Sequence, residues 1–197
     1  MRLALLFSGG KDSTLAGLLL DSFYEVTLVT AHFGVTDDWR HARAVADTLG
    51  FDFAALELDR AIAAAAVERM RQDGFPRNGI QHAHEAALEA ATDLNYDAVA
   101  DGTRRDDRVP TVSRAQAQSL EDRHGVDYIA PLSGFGRGAV DRLAERRLNV
   151  ESGPSEDLPK GDYEAELRAL LARRVGEAAV REVFPAHTQT RVIGLRE

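Results

Sequence analysis

The first twenty residues, MRLALLFSGGKDSTLAGLLL, constrain the fold more than any other stretch. An apolar run from Leu3 to Phe7 stops abruptly at Ser8-Gly9-Gly10-Lys11-Asp12-Ser13-Thr14. A second run, Leu15 to Leu20, follows at helical spacing. The pattern reads as strand, glycine turn, helix. Such a turn makes an anion site, because the first N–H groups of a helix have no internal partner and face outward. The glycines let backbone approach a phosphate closely, and Lys11 adds a mobile positive charge.

Similar units follow along the chain. Tyr24 to Phe33 is rich in β-branched and aromatic residues and ends at Gly34, which predicts a second strand. Asp37 and Asp38 open a helix on which Trp39, Ala42, Ala46 and Leu49 share a face, closed by Gly50. Phe51 to Leu58 reads as a third strand. Helical stripes then run through Ile62, Ala66 and Met70, and through Ile80, Ala83, Ala87, Ala91 and Leu94. Asp97 to Asp101 is a buried-looking strand ending in Gly102-Thr103. A helix capped by Ser113 passes through Ala115 and Leu120; Val126 to Leu132 is a fifth strand; Val140, Leu143, Ala144 and Leu148 mark another helical face. This alternation predicts an α/β fold: a doubly wound parallel sheet of about five strands with helices on both faces. Ligands of such sheets bind at the carboxyl ends of the strands, so the loops at 8–13, 31–34, 102–108 and 133–137 should converge.

Residues 1–148 form the expected core, and 149–197 a C-terminal helical and strand extension packed on the same domain. Asn149 to Gly161, rich in Gly, Pro, Ser and acids, reads as a mobile connection. Asp162 caps a helix carrying Tyr163, Leu167, Leu170, Leu171 and Val175, and a short helix runs from Glu177 to Val183. The tail from His187 to Arg196 looks strand-like and suited to pair with a sheet edge.

Composition removes several chemistries. The chain of 197 residues has no cysteine, which excludes disulfides, thiolate metal sites, cysteine nucleophiles and iron–sulfur clusters on its own side chains. A net charge of −8 argues against broad nucleic-acid binding while permitting a local basic patch. No run approaches the ~20 apolar residues of a membrane span, and the N-terminus enters a strand rather than a signal peptide, so a cytoplasmic protein without a membrane partner is expected. Lys11 and Lys160 are the only lysines, the other fixed positive charges being arginine.

The loop is not a Walker motif, since Leu5 stands where the first glycine belongs and Asp12 follows the lysine. A dinucleotide fingerprint also fails for want of a third glycine. What remains, SGGKDST, resembles the signature loop of the PP-loop, or N-type ATP pyrophosphatase, superfamily (the adenine nucleotide α-hydrolases). Asp101-Gly-Thr-Arg-Arg-Asp-Asp-Arg108 is similar to the DGTNxDD stretch of members such as the nickel-pincer-cofactor sulfurtransferases, and Ile129-Ala-Pro-Leu132 resembles their fifth strand. The resemblance covers about residues 1–148. The remainder is only loosely similar to archaeal asparagine-synthase-related proteins. Sulfur-inserting relatives usually carry cysteines in the segment before the helix leading to strand four. Here that segment, Phe75 to Glu85, has none.

Ser8, Gly9, Gly10, Lys11 and Ser13 are the candidates for holding β- and γ-phosphates by N–H and hydroxyl donors. Asp12 has two open roles, a magnesium ligand or a helix cap. Gly102 and Thr103 present N–H and hydroxyl groups at a second strand end, Asp106 and Asp107 are candidate magnesium ligands, and Arg104, Arg105 and Arg108 can neutralise polyphosphate. The resemblance places Ala31, His32 and Phe33 where family members contact adenine or ribose. Lys160, with Asp162, His187 and Arg191, is a candidate to reach back over the phosphates. His82 and His84, two apart, do not share a helical face; a zinc pair is not expected, and both read as a partly exposed helix surface.

By the resemblance the cofactors are ATP and magnesium. The reaction it implies is cleavage of ATP to AMP and pyrophosphate with adenylation of an unidentified acceptor for amidation or ligation, with Lys11, Asp12 and Arg105 as catalytic candidates. Two alternatives stand beside it. One is a non-catalytic ATP- or AMP-binding regulatory module. The other is a tRNA-modifying ligase using an arginine patch around Arg104, Arg105 and Arg108, joined by Arg146 and Arg147. An amide-donor partner is a further option. No general base is evident in the sequence.

Overall fold

A computed structural model describes residues 1–196; Glu197, the last residue of the expected extension, lies outside them. Five parallel strands form one sheet: β1 (Arg2–Leu6), β2 (Glu25–His32), β3 (Asp52–Glu57), β4 (Ala98–Ala100) and β5 (Asp127–Ile129). Their spatial order is β3-β2-β1-β4-β5, and every neighbouring pair is parallel. The order reverses between β1 and β4, each of which pairs with the other. That is the switch point where sheets of this kind open a crevice.

The helices between strands cover both faces. α1 (Lys11–Leu20), α2 (Trp39–Leu49) and α6 (Arg137–Arg147) pack on one face against Leu3, Leu5, Leu28, Ala98 and Ala100. α3 (Arg60–Asp73), α4 (Arg77–Thr92), α5 (Arg114–His124), α7 (Tyr163–Val175) and α8 (Glu177–Val183) contribute to the other cluster, with Ala4, Leu6, Val29, Ala31 and Val99. β1 alternates between these two clusters yet is apolar at every position from Leu3 to Leu6, because each face is covered. Each fully buried leucine here is worth about 1.5–3 kcal/mol. α5 begins with the expected Ser113 cap, closed by Gln116 into a capping box.

The extension departs from expectation in two ways. Asn149 to Gly161 is not a mobile connection throughout: its start belongs to β6 (Leu148–Pro154), which pairs antiparallel with β7 (Thr188–Leu195). The tail is a strand, as its sequence suggests, but it pairs with β6 rather than with an edge of the main sheet. Seven residue pairs, with a register shift between Asn149 and Val150, supply the ladder that a Gly- and Pro-rich segment cannot make alone. α7 sends Leu167 and Leu171, both fully buried, into the same apolar cluster as β1 and β2.

Candidate functional site

The carboxyl ends of β1 and β4 open on a cleft of about 970 Å³. The Ser8–Ser13 loop forms one wall. Gly9 adopts a left-handed conformation (φ 80°), and Gly10 starts α1 without any side-chain cap, leaving the helix's positive end facing the cleft. Ser13 Oγ donates to the carbonyl of Gly10 at 3.2 Å and Thr14 Oγ1 to the same carbonyl at 2.9 Å, fixing the turn from within. Gly102 lies so close to this helix start that an added Cβ would sit 2.8 Å from Ser13 N and Cα. The two sequence motifs are therefore in direct contact.

The β6–β7 pair and the segment after β6 close the far side. Val192 N–H donates to the Gly9 carbonyl (2.9 Å), Gly161 N–H to the Ser8 carbonyl (3.1 Å), and Lys11 N–H to Thr190 Oγ1 (3.4 Å). Lys160, 4% exposed, lines the cleft with Asp162 and Glu164. Its Nζ donates to Ser155 Oγ (2.8 Å) and to Gln189, and lies 3.2 Å from Asp162 Oδ2. Ser155 in turn bonds to Glu164, whose carboxyl is held below its ordinary pKa by Lys160, Ser155, His187 and Arg168 despite the upward push of burial. Arg191 pairs with Glu151 instead of reaching the cleft.

The carboxylates expected to hold magnesium gather around a guanidinium. Arg104 Nε donates to Asp107 Oδ1 at 3.0 Å, and its backbone N–H donates to Asp107 Oδ2 at 2.8 Å. Asp12 Oδ2 is 3.6 Å from Arg104 Nη1, and Asp106 Oδ1 is 4.0 Å from Arg104 Nε. Asp106 also accepts the N–H of Arg137 at the start of α6, which lowers its pKa. Both oxygens of Asp107 thus accept from Arg104, and Asp106 accepts from the α6 terminus, so both expected magnesium ligands already have protein partners. Among the described residues no group of three His, Cys, Asp or Glu side chains is placed to hold a metal. Asp12 is not a cap either: its Oδ1 accepts from Lys11 Nζ (2.9 Å). Arg104 Nη1 is buried without a hydrogen bond, an unsatisfied donor beside the phosphate loop.

At the end of β2, only Ala31 of the expected trio lines the cleft. Phe33 is fully buried in the core, and His32 stacks on Trp39 with ring centroids 5.6 Å apart. The cause lies on α7. Glu166, 3% exposed, accepts the N–H groups of Phe33 (2.7 Å), Val35 (2.8 Å) and Thr36 (3.2 Å), folding this loop onto the core. Thr103 and Arg104 line the cleft as expected, whereas exposed Arg105 is not among its lining residues.

Sequence reasoning missed His84. It is 4% exposed, not part of an open helix surface, and its Nε2 lies 2.9 Å from Asp101 Oδ2. Tyr128 O–H donates to the same oxygen (2.9 Å), while Thr103 N–H and Oγ1–H donate to Oδ1 (2.9 and 2.6 Å). The signal was present in the spacing: His84 continues the apolar stripe of Ile80, Ala83 and Ala87.

A family model matches residues 1–194. The chain belongs to DUF7411, a family of unknown function. This DUF7411 member is 41% identical over 198 residues to an uncharacterised protein of Methanocaldococcus jannaschii, covering 100% of this chain and 98% of that one. It also matches a crystal structure described as a predicted subunit of tRNA methyltransferase from Methanocaldococcus jannaschii. That match has a TM-score of 0.92 and 40% identity, over 100% of this chain and 98% of that chain. The U34-tRNA thiolase NcsA of Methanococcus maripaludis matches more loosely, with TM-score 0.47 and 17% identity over 74% of this chain and 56% of that chain. Among the described residues of the DUF7411 chain, no helix is long and apolar enough to cross a membrane.

Proposed function

We propose that this chain is a PP-loop nucleotide-binding protein of tRNA modification, which binds ATP with magnesium in the cleft and cleaves it between the α- and β-phosphates to activate an acceptor. The observation that carries the reading is the uncapped N-terminus of α1, with Ser8, Gly10, Lys11 and Ser13 lining a cleft that Gly102, Thr103 and Arg104 line from β4. A helix start whose Lys11 N–H meets only Thr190 Oγ1 at 3.4 Å, a lysine and an unsatisfied guanidinium donor suit a polyphosphate.

The same cleft is lined by seven carboxylates against five lysine and arginine side chains. A bare polyphosphate would meet net repulsion there, so the nucleotide should arrive with its divalent cation. Magnesium takes one or two carboxylates and leaves its other positions to phosphate and water, and Asp12 is the carboxylate on the phosphate loop that fits this role. Bound there, it supplies charge neutralisation for the leaving pyrophosphate. Lys11, held by Asp12 and 3.4 Å from Asp141, is placed to exchange those carboxylates for phosphate oxygens.

The tRNA side of the reading draws on the name of the Methanocaldococcus jannaschii structure, which matches over the full length. It also draws on exposed arginines beside the cleft: Arg105, Arg108 and Arg137 on its rim, and Arg142, Arg146 and Arg147 along α6. With a net charge of −8, RNA contact must be confined to such a patch and fall steeply with salt. Calorimetric titration with Mg·ATP, and pyrophosphate release with and without archaeal tRNA, test the reading. Wild type should bind, and Lys11→Ala should bind at least about tenfold more weakly, the loss of one charge-assisted contact. Equal ATP affinity in the two proteins would remove the phosphate assignment, and absence of any tRNA gel shift at low salt would remove the RNA part alone.

A further inference from the structure

The buried histidine on α4 has one nitrogen fixed and the other free. A charged carboxylate only accepts hydrogen bonds, and Asp101 is surrounded by donors: Thr103 N–H and O–H on one oxygen, Tyr128 O–H and His84 Nε2 on the other. Burial alone would raise the Asp101 pKa, but the hydrogen bond from His84, the positive charge that ring carries when protonated, and the bonds from Thr103 outweigh it and hold the pKa below its ordinary value. His84 Nε2 therefore carries the hydrogen, and in the neutral ring Nδ1 keeps its lone pair. The one side-chain hydrogen bond His84 makes among the described residues is at Nε2, which leaves Nδ1 without a partner, and His84 lines the cleft one turn after Ile80.

The ring is held on its other sides as well. Tyr163 of α7 meets it edge-on, with centroids 6.1 Å apart and planes at 68°. Burial raises the pKa of Tyr163 and of Tyr128, so both hydroxyls stay protonated. The titratable groups in contact with His84 are Asp101 after β4 and Tyr163 of α7, with Tyr128 of β5 reaching the same Asp101 oxygen. A buried His–Asp pair adds little stability over an apolar pair of similar volume. Packing alone gives no reason to place it at the carboxyl end of β4.

Resting on the nucleotide reading above, we propose that His84 Nδ1 is the proton acceptor of the cleft and that Asp101 is its positioning residue. The simplest reaction it serves uses water. The water oxygen bonds to the α-phosphorus, the bond from that phosphorus to the bridging oxygen breaks with its electron pair leaving on pyrophosphate, and the water's proton passes to His84 Nδ1. A hydroxyl-bearing acceptor in place of water gives the same balance. Asp101 keeps the ring in the one tautomer and orientation that present a bare nitrogen.

The test has two arms on the full chain. Nitrogen NMR of histidine-labelled protein without ligand should find His84 hydrogen on Nε2 and a bare Nδ1, with Asp101→Asn shifting this ring toward the other tautomer. A wild-type ring with its hydrogen on Nδ1 overturns the proposal. In the second arm the chain is incubated with Mg·ATP in oxygen-18 water. Label should enter AMP, and His84→Gln should slow turnover about 10²- to 10⁴-fold, the usual worth of a positioned base. KM for ATP should change by no more than about twofold, and imidazole should partly restore His84→Ala. Wild-type turnover in His84→Gln, or a wild type that binds Mg·ATP and forms no AMP, overturns the proton-acceptor role. A wild type that does not bind Mg·ATP overturns the nucleotide reading and this role with it, while the NMR arm still reports the His84–Asp101 geometry by itself.

Discussion

Adding one methyl group at Gly102 perturbs the join between the two strand ends more selectively than any loss of charge. The Cβ of Gly102→Ala would sit 2.8 Å from both N and Cα of Ser13 and 3.0 Å from the Asp12 carbonyl carbon. Ordinary contact begins at 3.4 Å, so the two segments must part by about 0.6 Å, the difference from 2.8 Å. The obstacle is the backbone of the first turn of α1, which cannot rotate away as a side-chain tip does. Overpacking of this kind costs roughly 1–3 kcal/mol. The same shift would lengthen a good hydrogen bond to a phosphate beyond its useful range, because N–H···O bonds occupy only about 2.7–3.2 Å. Mg·ATP affinity should then fall at least about tenfold, or roughly 1.4 kcal/mol. Urea denaturation reads the first effect and calorimetric titration the second. Gly79→Ala is the control, since its Cβ would meet the Met70 side chain at 2.5 Å and the Ala66 carbonyl at 2.6 Å, where α3 packs on α4. It should lose similar stability with unchanged affinity. If Gly102→Ala keeps both stability and affinity, the close approach is not a constraint. If Gly79→Ala loses as much affinity, the effect is global rather than local to the phosphate loop.

Two further outcomes follow from the buried acids. Glu166→Gln removes the charge that holds the N–H groups of Phe33, Val35 and Thr36 and should destabilise the chain by roughly 1.5–3 kcal/mol, seen as a lower urea midpoint. A midpoint equal to wild type would mean that this loop does not depend on the carboxylate. Asp101 has a folded pKa below its ordinary 3.8, so its stabilising contribution is present above that value and lost as pH falls through the lower folded value. Asp101→Asn should therefore be less stable than wild type at pH 6 and converge toward it as the pH falls through the lowered folded value; a difference that stays constant with pH would refute the linkage.

The main sheet was legible because its signals are local. Leu3 to Phe7, the β-branched residues of β2 and the glycine after each unit report strand and turn through short-range physics. β6 was not, because Asn149 to Pro154 has weak strand propensity and depends on a partner lying forty residues further on. The phosphate loop was read from residue type and position together. The partners of Asp106 and Asp107 were not legible, since a run of mixed charge does not say which carboxylate a nearby arginine will take, and Arg104 took Asp107 through both its side chain and its backbone. Phe33 was displaced from the cleft by Glu166, which lies 133 residues away in the chain. His84 escaped notice for the opposite reason. Judged with His82 as a possible metal pair it looked idle, yet its own partner, Asp101, follows it by only 17 residues.

The contact between β7 and the Gly9 carbonyl also bears on how the protein is made. β1 and its loop are synthesised well before β7, the strand that borders them. At roughly 5–20 residues per second, the loop waits on the order of ten to forty seconds for Val192. During that interval the growing chain carries a phosphate loop without its far wall. An alteration of β7 is consequently an alteration of the phosphate loop, and these two segments, far apart in the chain, are under one structural constraint.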